Sequence, residues 1–334
     1  MIKRILIISL SVLLLMFSIT VGYIYINVNQ PITINTKQLI TIEKGTSFSS
    51  FTSRLVELGI IDDRFALRNY VRVNPELSAI KSGTFEIKPG ISQKELLMTL
   101  VKGKEHQFTI TLIEGNTLKQ WLEHIKQNQA LKHTITDTSY ANIATRLGIQ
   151  KSQPEGLFFP DTYAFTKGTT DIAILKRAHK RMQKVIEQAW LDRDKSTPYK
   201  SQYEALIMAS IIEKESGAHA EHSVIGSVFS NRLHKGMRLQ TDPTVIYGLG
   251  DRYKGDIKRK HLREYTAYNT YRINGLPPTP IAMPGFSAIK GALNPASTEY
   301  YYFVSDGFGK HVFSKNLQEH NKAVAQYLKV TSNN

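Results

Sequence analysis

The first feature of the chain is an apolar segment near its N-terminus. After Lys3 and Arg4, residues 5–26 carry no charge. A helix needs about 20 apolar residues to cross a bilayer, and no small-residue cleavage site follows this segment. We therefore expect an uncleaved signal anchor with residues 1–4 as a cytoplasmic stub, because Lys and Arg are enriched on the cytoplasmic side. The rest of the chain is then predicted to lie outside the inner (cytoplasmic) membrane.

Beyond a polar stalk at residues 27–38, three segments share one local pattern. Each predicts a short strand, a turn with glycine, and a Ser or Thr before a helix: TIEKGTSFSSFTSRL, FEIKPGISQKELLMTL and TLIEGNTLKQWLEHI. Ser92 and Glu95 have the spacing of a capping box, and glycine permits turn conformations that a Cβ would penalise. Small β-α units of this kind occur in LysM wall-binding modules and equally in unrelated folds.

The pattern later in the chain changes to longer helices and loops. Helical spacing of apolar residues predicts helices at residues 140–148, 171–192, 202–216, 223–235 and 317–328. The segments YYYFV and HVFS flank DGFG, which predicts a β-hairpin. We expect an α+β fold: a transmembrane helix, a small α/β subdomain at 39–105, a connecting α/β segment at 106–153 and a larger α+β domain at 154–330.

Composition and net charge restrict the kinds of molecule that the protein can bind. The 334 residues carry a formal charge of +15, which favours an acidic partner. A basic domain outside the cytoplasm meets wall polymer and lipid headgroups, so nucleic acid is excluded in practice. The chain has no cysteine, which excludes disulfides, thiolate metal sites and a cysteine nucleophile.

The segment ASIIEKESG, residues 209–217, contains the main catalytic candidate. On a helical wheel Glu215 shares the face of Met208, Ile211 and Ile212, whereas Glu213 points the other way. An apolar setting and the C-terminal end of a helix both raise the pKa of a carboxyl group. Glu215 is therefore predicted to be a general acid. The alternative is a solvated carboxylate at the end of a core helix.

Neighbouring residues are weaker candidates. Glu213 is predicted to hold a nearby loop through hydrogen bonds, and Ser216 lacks the GxSxG context of a serine hydrolase. His219 and His222 stand three residues apart, but no third ligand and no HExxH motif accompany them. We expect no metal and no cofactor.

The loop-rich segments supply candidates for binding saccharide. Asp242 precedes Pro243 and is most simply a helix N-cap, but it is also the best second carboxylate for a hydrolase. Aromatic faces and amide groups are typical of sugar sites. The predicted substrate-binding residues are Gln240, Asp242, Tyr247, Asn269 and Tyr271.

Eight segments together resemble one known family. They are EGLFFPDTY, ASIIEKESG, SVFSNRL, GMRLQTDPTVIYG, TAYNTY, GLPPTPIAMPG, ALNPA and YYYFVSDGFGKHVFS. In this order, after an N-terminal anchor, they closely resemble the YceG-like (MltG) endolytic murein transglycosylases. The resemblance covers nearly the whole chain.

The resemblance implies a function and a site. The second Glu of the EKE[ST] block is the family's catalytic acid, which here is Glu215, and Glu215-Ser216 is similar to the ES signature of soluble lytic transglycosylases. Glu213 and Ser216 are expected to support it. Residues 39–105 are expected to be LysM-like and residues 154–330 the catalytic domain.

The implied reaction is cleavage of MurNAc-β-1,4-GlcNAc bonds without water, leaving 1,6-anhydroMurNAc ends and ending the elongation of nascent peptidoglycan strands near the membrane. The implied partners are peptidoglycan strands, the inner membrane and peptidoglycan polymerases. One carboxyl group can suffice, because an intramolecular hydroxyl has a high effective concentration. Two alternatives stay open: a muramidase-type hydrolase that uses Glu215 with Asp242, and a non-catalytic wall-binding scaffold.

Overall fold

The apolar N-terminal segment forms a single helix, α1 (Ile2–Asn29), in the computed structural model, which describes residues 1–332. Among these residues, α1 is the one helix long and apolar enough to cross a membrane. Its large apolar side chains are exposed along most of its length, as expected for a helix whose surroundings are lipid. The helix suggests a membrane anchor.

The described residues divide into two units, of which the first comprises Met1–Phe108 and Ala164–Gly168. After α1 its elements are β1 (Gln38–Ile42), α2 (Phe48–Glu57), α3 (Phe65–Val73), β2 (Gly83–Ile87) and α4 (Gln93–Lys102). Strands β1 and β2 pair antiparallel, with Ile40 opposite Phe85. Buried aliphatic and aromatic side chains from the strands and helices form one core in this unit.

The helix starts in the repeated segments are confirmed. Ser92 and Glu95 form a complete capping box at α4, and Thr117 forms another with Gln120 at the next helix. The preceding turn contains a glycine with positive φ in each of the three segments: Gly45, Gly90 and Gly115. These contacts are local in sequence, so the pattern alone specifies them.

The predicted stalk differs from the structure. Helix α1 continues to Asn29, and Val28 is completely buried. Ile32 and Ile34 belong to the core of the first unit, and the Ile32 N–H donates to the Ile91 carbonyl at 2.9 Å. The two isoleucine side chains hold this segment against the first unit, because burying each removes a large apolar surface from water, while the polar residues around them stay exposed.

The second unit comprises Thr109–Tyr163 and residues from Thr169 onward. Its elements are β3 (Phe108–Leu112), α5 (Leu118–Gln127), α6 (Tyr140–Leu147), β4 (Asp161–Phe165), α7 (Asp171–Leu191), α8 (Gln202–Glu215), α9 (His222–His234), α10 (Asp242–Leu249), α11 (Arg259–Arg263), α12 (Phe286–Leu293), β5 (Tyr302–Ser305), β6 (His311–Ser314) and α13 (Leu317–Ser332). The two pairs β3–β4 and β5–β6 are separate two-stranded sheets. The predicted hairpin is β5–β6, which pairs antiparallel.

Helix α8 is the centre of the second unit. Helices α7, α9, α10 and α12 all pack against it, and every residue from Ala205 to Ile212 is buried. Close approach of α9 and α12 depends on Gly226, where a Cβ would lie 2.1 Å from the Gly291 carbonyl oxygen. A helix enclosed on all sides holds the residues at its C-terminal end in a fixed position.

Candidate active site

A polar cleft lies at the C-terminal end of α8. Glu215 is the last residue of this helix, and its side chain faces a cleft of about 190 Å³. The lining residues come from α8, α9, the segment before α10, the start of α10, the loop after α11 and strand β5: Glu215, Phe229, Arg232, Leu239, Gln240, Thr241, Asp242, Tyr271 and Phe303. All of them belong to the second unit.

The surroundings of Glu215 keep its carboxyl group partly protonated near neutral pH. Burial raises the pKa of Glu215 to about 7, and the negative charge of Asp242 acts in the same direction. A hydrogen bond from Thr241 and the positive charges of His311 and Arg232 oppose this rise in pKa. A carboxyl group with a pKa near the working pH can both donate and accept a proton.

Thr241 fixes the orientation of the Glu215 carboxyl group. Its hydroxyl donates a hydrogen bond to Glu215 Oε1. Two other buried threonines hold Thr241 in place: its N–H donates to Thr270 Oγ1 at 3.0 Å, and the Thr244 hydroxyl donates to its carbonyl at 2.7 Å. This hydrogen bond therefore restricts the rotation of the Glu215 carboxyl group.

Gln240 presents its side chain beside this network from an unusual backbone conformation. It is the one non-glycine residue with positive φ, at 51°, among the described residues. Such a conformation costs about 1–3 kcal/mol and is often found at functional sites. The Gln240 side chain is exposed and lines the cleft.

The prediction that Asp242 caps a helix is wrong by one position. The N-cap of α10 is Thr241, and its side chain makes no capping hydrogen bond because its hydroxyl is directed to Glu215. Asp242 is the first residue of α10 and accepts a hydrogen bond from the Tyr271 hydroxyl at 2.7 Å. Both Asp242 and Tyr271 line the cleft.

Arg232 is a cleft residue that the sequence did not assign to the site. Its Nε donates to the Tyr301 carbonyl and its Nη1 to the Leu239 carbonyl, both at 2.6 Å. It therefore joins α9 to the residue before strand β5 and to the segment before α10, and it brings a buried positive charge to the cleft. The SVFSNRL segment contains this residue, but only the tertiary structure shows what it faces.

Two predicted substrate-binding residues lie outside the cleft. Asn269 is buried, and its amide donates to the carbonyls of His261, Leu262 and Glu264. The Tyr247 hydroxyl donates at 3.2 Å to Glu155, a completely buried carboxyl group. The structure therefore brings Gln240, Asp242 and Tyr271 to Glu215, and it does not bring Tyr247 or Asn269 there.

Glu155 is a buried acid that sequence reasoning missed. Besides Tyr247, the Leu118 N–H and the Tyr140 hydroxyl donate to it at 2.8 and 2.9 Å. Burial raises the pKa of Glu155 to about 7 despite these hydrogen bonds. Through these hydrogen bonds Glu155 connects α5, α6 and α10. This contact explains why the segment EGLFFPDTY contains a glutamate.

Glu213 and Ser216 contact the loops that surround the end of α8. Glu213 accepts a hydrogen bond from the Gly285 N–H at 2.8 Å, and burial raises its pKa to about 7. Ser216 is buried, and its carbonyl pairs with His222 Nε2 at 2.8 Å. The Ser216 hydroxyl donates to Glu221 at 3.4 Å, and Glu221 in turn pairs with His311 at 2.7 Å.

One group of side chains could hold a cation. Ligand atoms of Glu114, Glu213 and His219 lie within 4.8 Å of one another. His219 Nε2 pairs with Glu114 Oε1 at 2.9 Å, and both side chains are more than a third exposed. His222 is not part of the group, and its Nε2 pairs with the Ser216 carbonyl.

The second unit has the features of an acid–base enzyme that acts on a polar substrate. A carboxyl group with raised pKa lies at the end of a rigid helix, in a cleft with amide, hydroxyl and charged groups. Comparison with known proteins identifies the family. Residues 40–326 match the model of the YceG-like family, and the chain belongs to it.

Individual relatives agree with this assignment. An endolytic murein transglycosylase of Bacillus subtilis is 33% identical over 309 residues, which cover 86% of this chain and 84% of that protein. One of Streptococcus pneumoniae (strain D39) is 25% identical, with 89% of this chain and 60% of the longer relative covered. A yceG-like protein of Listeria monocytogenes, known from a crystal structure, is 32% identical with a TM-score of 0.53, over 86% of this chain and 98% of that one.

Proposed function

We propose that this chain is a membrane-anchored endolytic lytic transglycosylase of peptidoglycan, with Glu215 as its catalytic acid and base. Family membership and the similarity to the Bacillus subtilis endolytic murein transglycosylase support the activity. The observation that carries the assignment of Glu215 is its position: a carboxyl group with a pKa of about 7 faces a polar cleft while Thr241 holds one of its oxygens.

The reaction needs one carboxyl group in two states. Protonated Glu215 donates its proton to the oxygen of the MurNAc-β-1,4-GlcNAc bond as the bond from MurNAc C1 to that oxygen breaks. The resulting carboxylate then accepts the proton of the MurNAc C6 hydroxyl, whose oxygen bonds to C1. The products are a 1,6-anhydroMurNAc end and a GlcNAc hydroxyl, and Glu215 is protonated again.

Sugar binding is assigned to the exposed polar side chains of the cleft. Gln240 and Asp242 are exposed beside Glu215, and Tyr271 lies next to them. These groups suit the hydroxyl and amide groups of a glycan. Tyr247 and Asn269 are assigned instead to the support of α10 and of the loop before Tyr271, since their polar groups bond within the protein.

The position of the enzyme in the cell follows from α1. With Lys3 and Arg4 on the cytoplasmic side, the chain after α1 lies outside the membrane and meets nascent glycan strands, whose elongation the cleavage ends. Peptidoglycan polymerases that extrude those strands are the expected partners. We keep the LysM-like assignment of residues 39–105 as part of this proposal, supported by an antiparallel strand pair packed with helices.

The product ends test the reaction. Digestion of purified glycan strands is expected to give anhydro ends that are one water lighter than the reducing ends made by a hydrolase. Reducing ends would instead support the muramidase alternative, for which Asp242 in the same cleft is the second carboxylate. The E215Q variant is expected to cleave nothing, and an E215Q variant with full activity would support a scaffold role and contradict the proposal.

A further inference from the structure

Helix α3 in the first unit carries a row of arginines. Arg64, Arg68 and Arg72 are four residues apart and therefore lie on one helical face. They line a groove of about 320 Å³ together with Phe65 and Asn69. No carboxyl group lines this groove, so its charge is entirely positive.

The three guanidinium groups keep their positive charge available. Arg64 Nη1 donates to Ser53 Oγ at 2.6 Å, and Arg72 Nη1 donates to Asn69 Oδ1 at 3.1 Å. Within residues 1–332, neither these two nor Arg68 forms an ion pair with a carboxylate. Guanidinium groups bind phosphate oxygens in a bidentate manner, which suits them to phosphate esters.

The arginine row begins beside the end of the apolar helix. Helices α1 and α3 pack against each other. The Tyr23 hydroxyl donates to Asp63 at 2.7 Å, and the rings of Tyr23 and Phe65 are 6.2 Å apart. About 20 residues from Ile5 onward fill the hydrocarbon core, which places Tyr23 at the outer interface, where tyrosine is enriched.

The position of α3 relative to Tyr23 sets how far its charges lie from the lipid headgroups. Its nine residues span only about 13 Å. The surface potential of an anionic bilayer extends about 8–10 Å from the headgroups. Phe65 is 51% exposed at the start of the row, as expected for an aromatic ring at a membrane interface.

We propose that the arginine face of α3 binds the phosphate groups of anionic phospholipids in the outer leaflet around α1. This inference rests on the part of the proposed function in which α1 spans the membrane. The bound lipids hold the first unit against the membrane surface, in addition to the covalent link through α1. The site is separate from the cleft, since every residue of it belongs to the first unit.

A nitroxide label on α3 reports the binding. The chain has no cysteine, so V73C provides a single attachment point, and Val73 is 77% exposed at the end of α3. The full chain is placed in nanodiscs of phosphatidylcholine, with or without phosphatidylglycerol. Phosphatidylglycerol is expected to slow the motion of the label, and high salt is expected to reverse the effect.

Matched variants test whether the lipid response depends on the three arginines of α3 or on positive charge anywhere on the protein. The R64Q/R68Q/R72Q variant is expected to lose the response, whereas R64K/R68K/R72K retains it. The control K176Q/K180Q/K184Q removes three exposed cations with the same spacing from α7 and is expected to respond like the parent. If the triple glutamine variant unfolds, R68Q alone is expected to show a reduced response.

Several outcomes would overturn the proposal. The first is equal label motion in both lipid compositions, and the second is an unchanged response in the glutamine variants. The third is an equal slowing of the label by inorganic phosphate in phosphatidylcholine discs, because this result would indicate a site for free phosphate. Glycan cleavage by the same discs is measured in parallel. Loss of cleavage with an intact lipid response would contradict only the enzymatic proposal, and the reverse result would contradict only the lipid site.

Discussion

At the level of single residues, the site depends on where the Thr241 hydroxyl points. A threonine before a helix normally caps it, yet here the hydroxyl bonds to Glu215 and leaves α10 without a side-chain cap. The helix loses about 1 kcal/mol of capping stabilisation. The Glu215 carboxyl group gains a fixed orientation in exchange for this helix stability.

Replacing Thr241 with valine tests this role. The Thr241 hydrogen bond lowers the pKa of Glu215, so T241V is expected to raise that pKa and to move the alkaline limb of the kcat/KM profile to higher pH. The rate should also fall by about 10- to 100-fold, since the carboxyl group is no longer held in place. T241S keeps the hydroxyl and should keep the wild-type limb. An unchanged limb in T241V would contradict the assignment.

At the level of elements, α8 is positioned by close helix packing. Gly226 on α9 contacts the Gly291 carbonyl on α12, and both helices enclose α8. No other residue type fits this contact, because a Cβ at Gly226 would overlap a backbone oxygen that cannot rotate away.

The G226A variant is expected to lose stability despite the better helix propensity of alanine. The overlap should reduce the free energy of unfolding by about 1–3 kcal/mol, measured by denaturant titration. G217A is the matched control, because a Cβ at Gly217 has nothing within 4 Å. Equal stability of G226A and the wild type would show that α9 and α12 can separate without cost.

The sequence predicted the elements better than the site. The capping box of Ser92 and Glu95 and the limits of α8 depend on residues that are close in sequence, so the sequence predicted them. The helical wheel placed Glu213 and Glu215 on opposite sides of α8, and the predicted loop contact of Glu213 is present at the Gly285 N–H. The wheel could not show that side chains on both sides of α8 are buried, or that both pKa values are raised to about 7. Only the tertiary structure shows that Glu215 faces the cleft.

At the level of the whole molecule, three acids with raised pKa values link stability to pH. Glu155, Glu213 and Glu215 each have a pKa of about 7 in the folded protein, against about 4.3 in an unfolded chain. Between these values the folded protein binds more protons than the unfolded chain. Its stability therefore falls as pH rises through this window.

Urea denaturation between pH 5 and pH 8 checks this expectation, with values chosen to bracket the shifted pKa. Glu155 is completely buried, and its raised pKa alone corresponds to about 4 kcal/mol. Both tryptophans, Trp121 and Trp190, lie in the second unit and report its unfolding. The E155Q variant is unsuitable as a control, since its amide would face three hydrogen-bond donors. The E215Q variant is used instead. It should be more stable than the wild type at pH 8 and similar in stability at pH 5. Constant stability across this range would contradict the raised pKa values.

The most direct test of Glu215 as the catalytic acid is a titration of its carboxyl group. The infrared difference between wild type and E215Q isolates its protonated C=O band, which can be followed against pH. We predict that Glu215 titrates with a pKa of about 7 and that this pKa coincides with the alkaline limb of glycan cleavage. A pKa near the ordinary value of about 4.3 would contradict the assignment of Glu215 as the acid that starts the reaction.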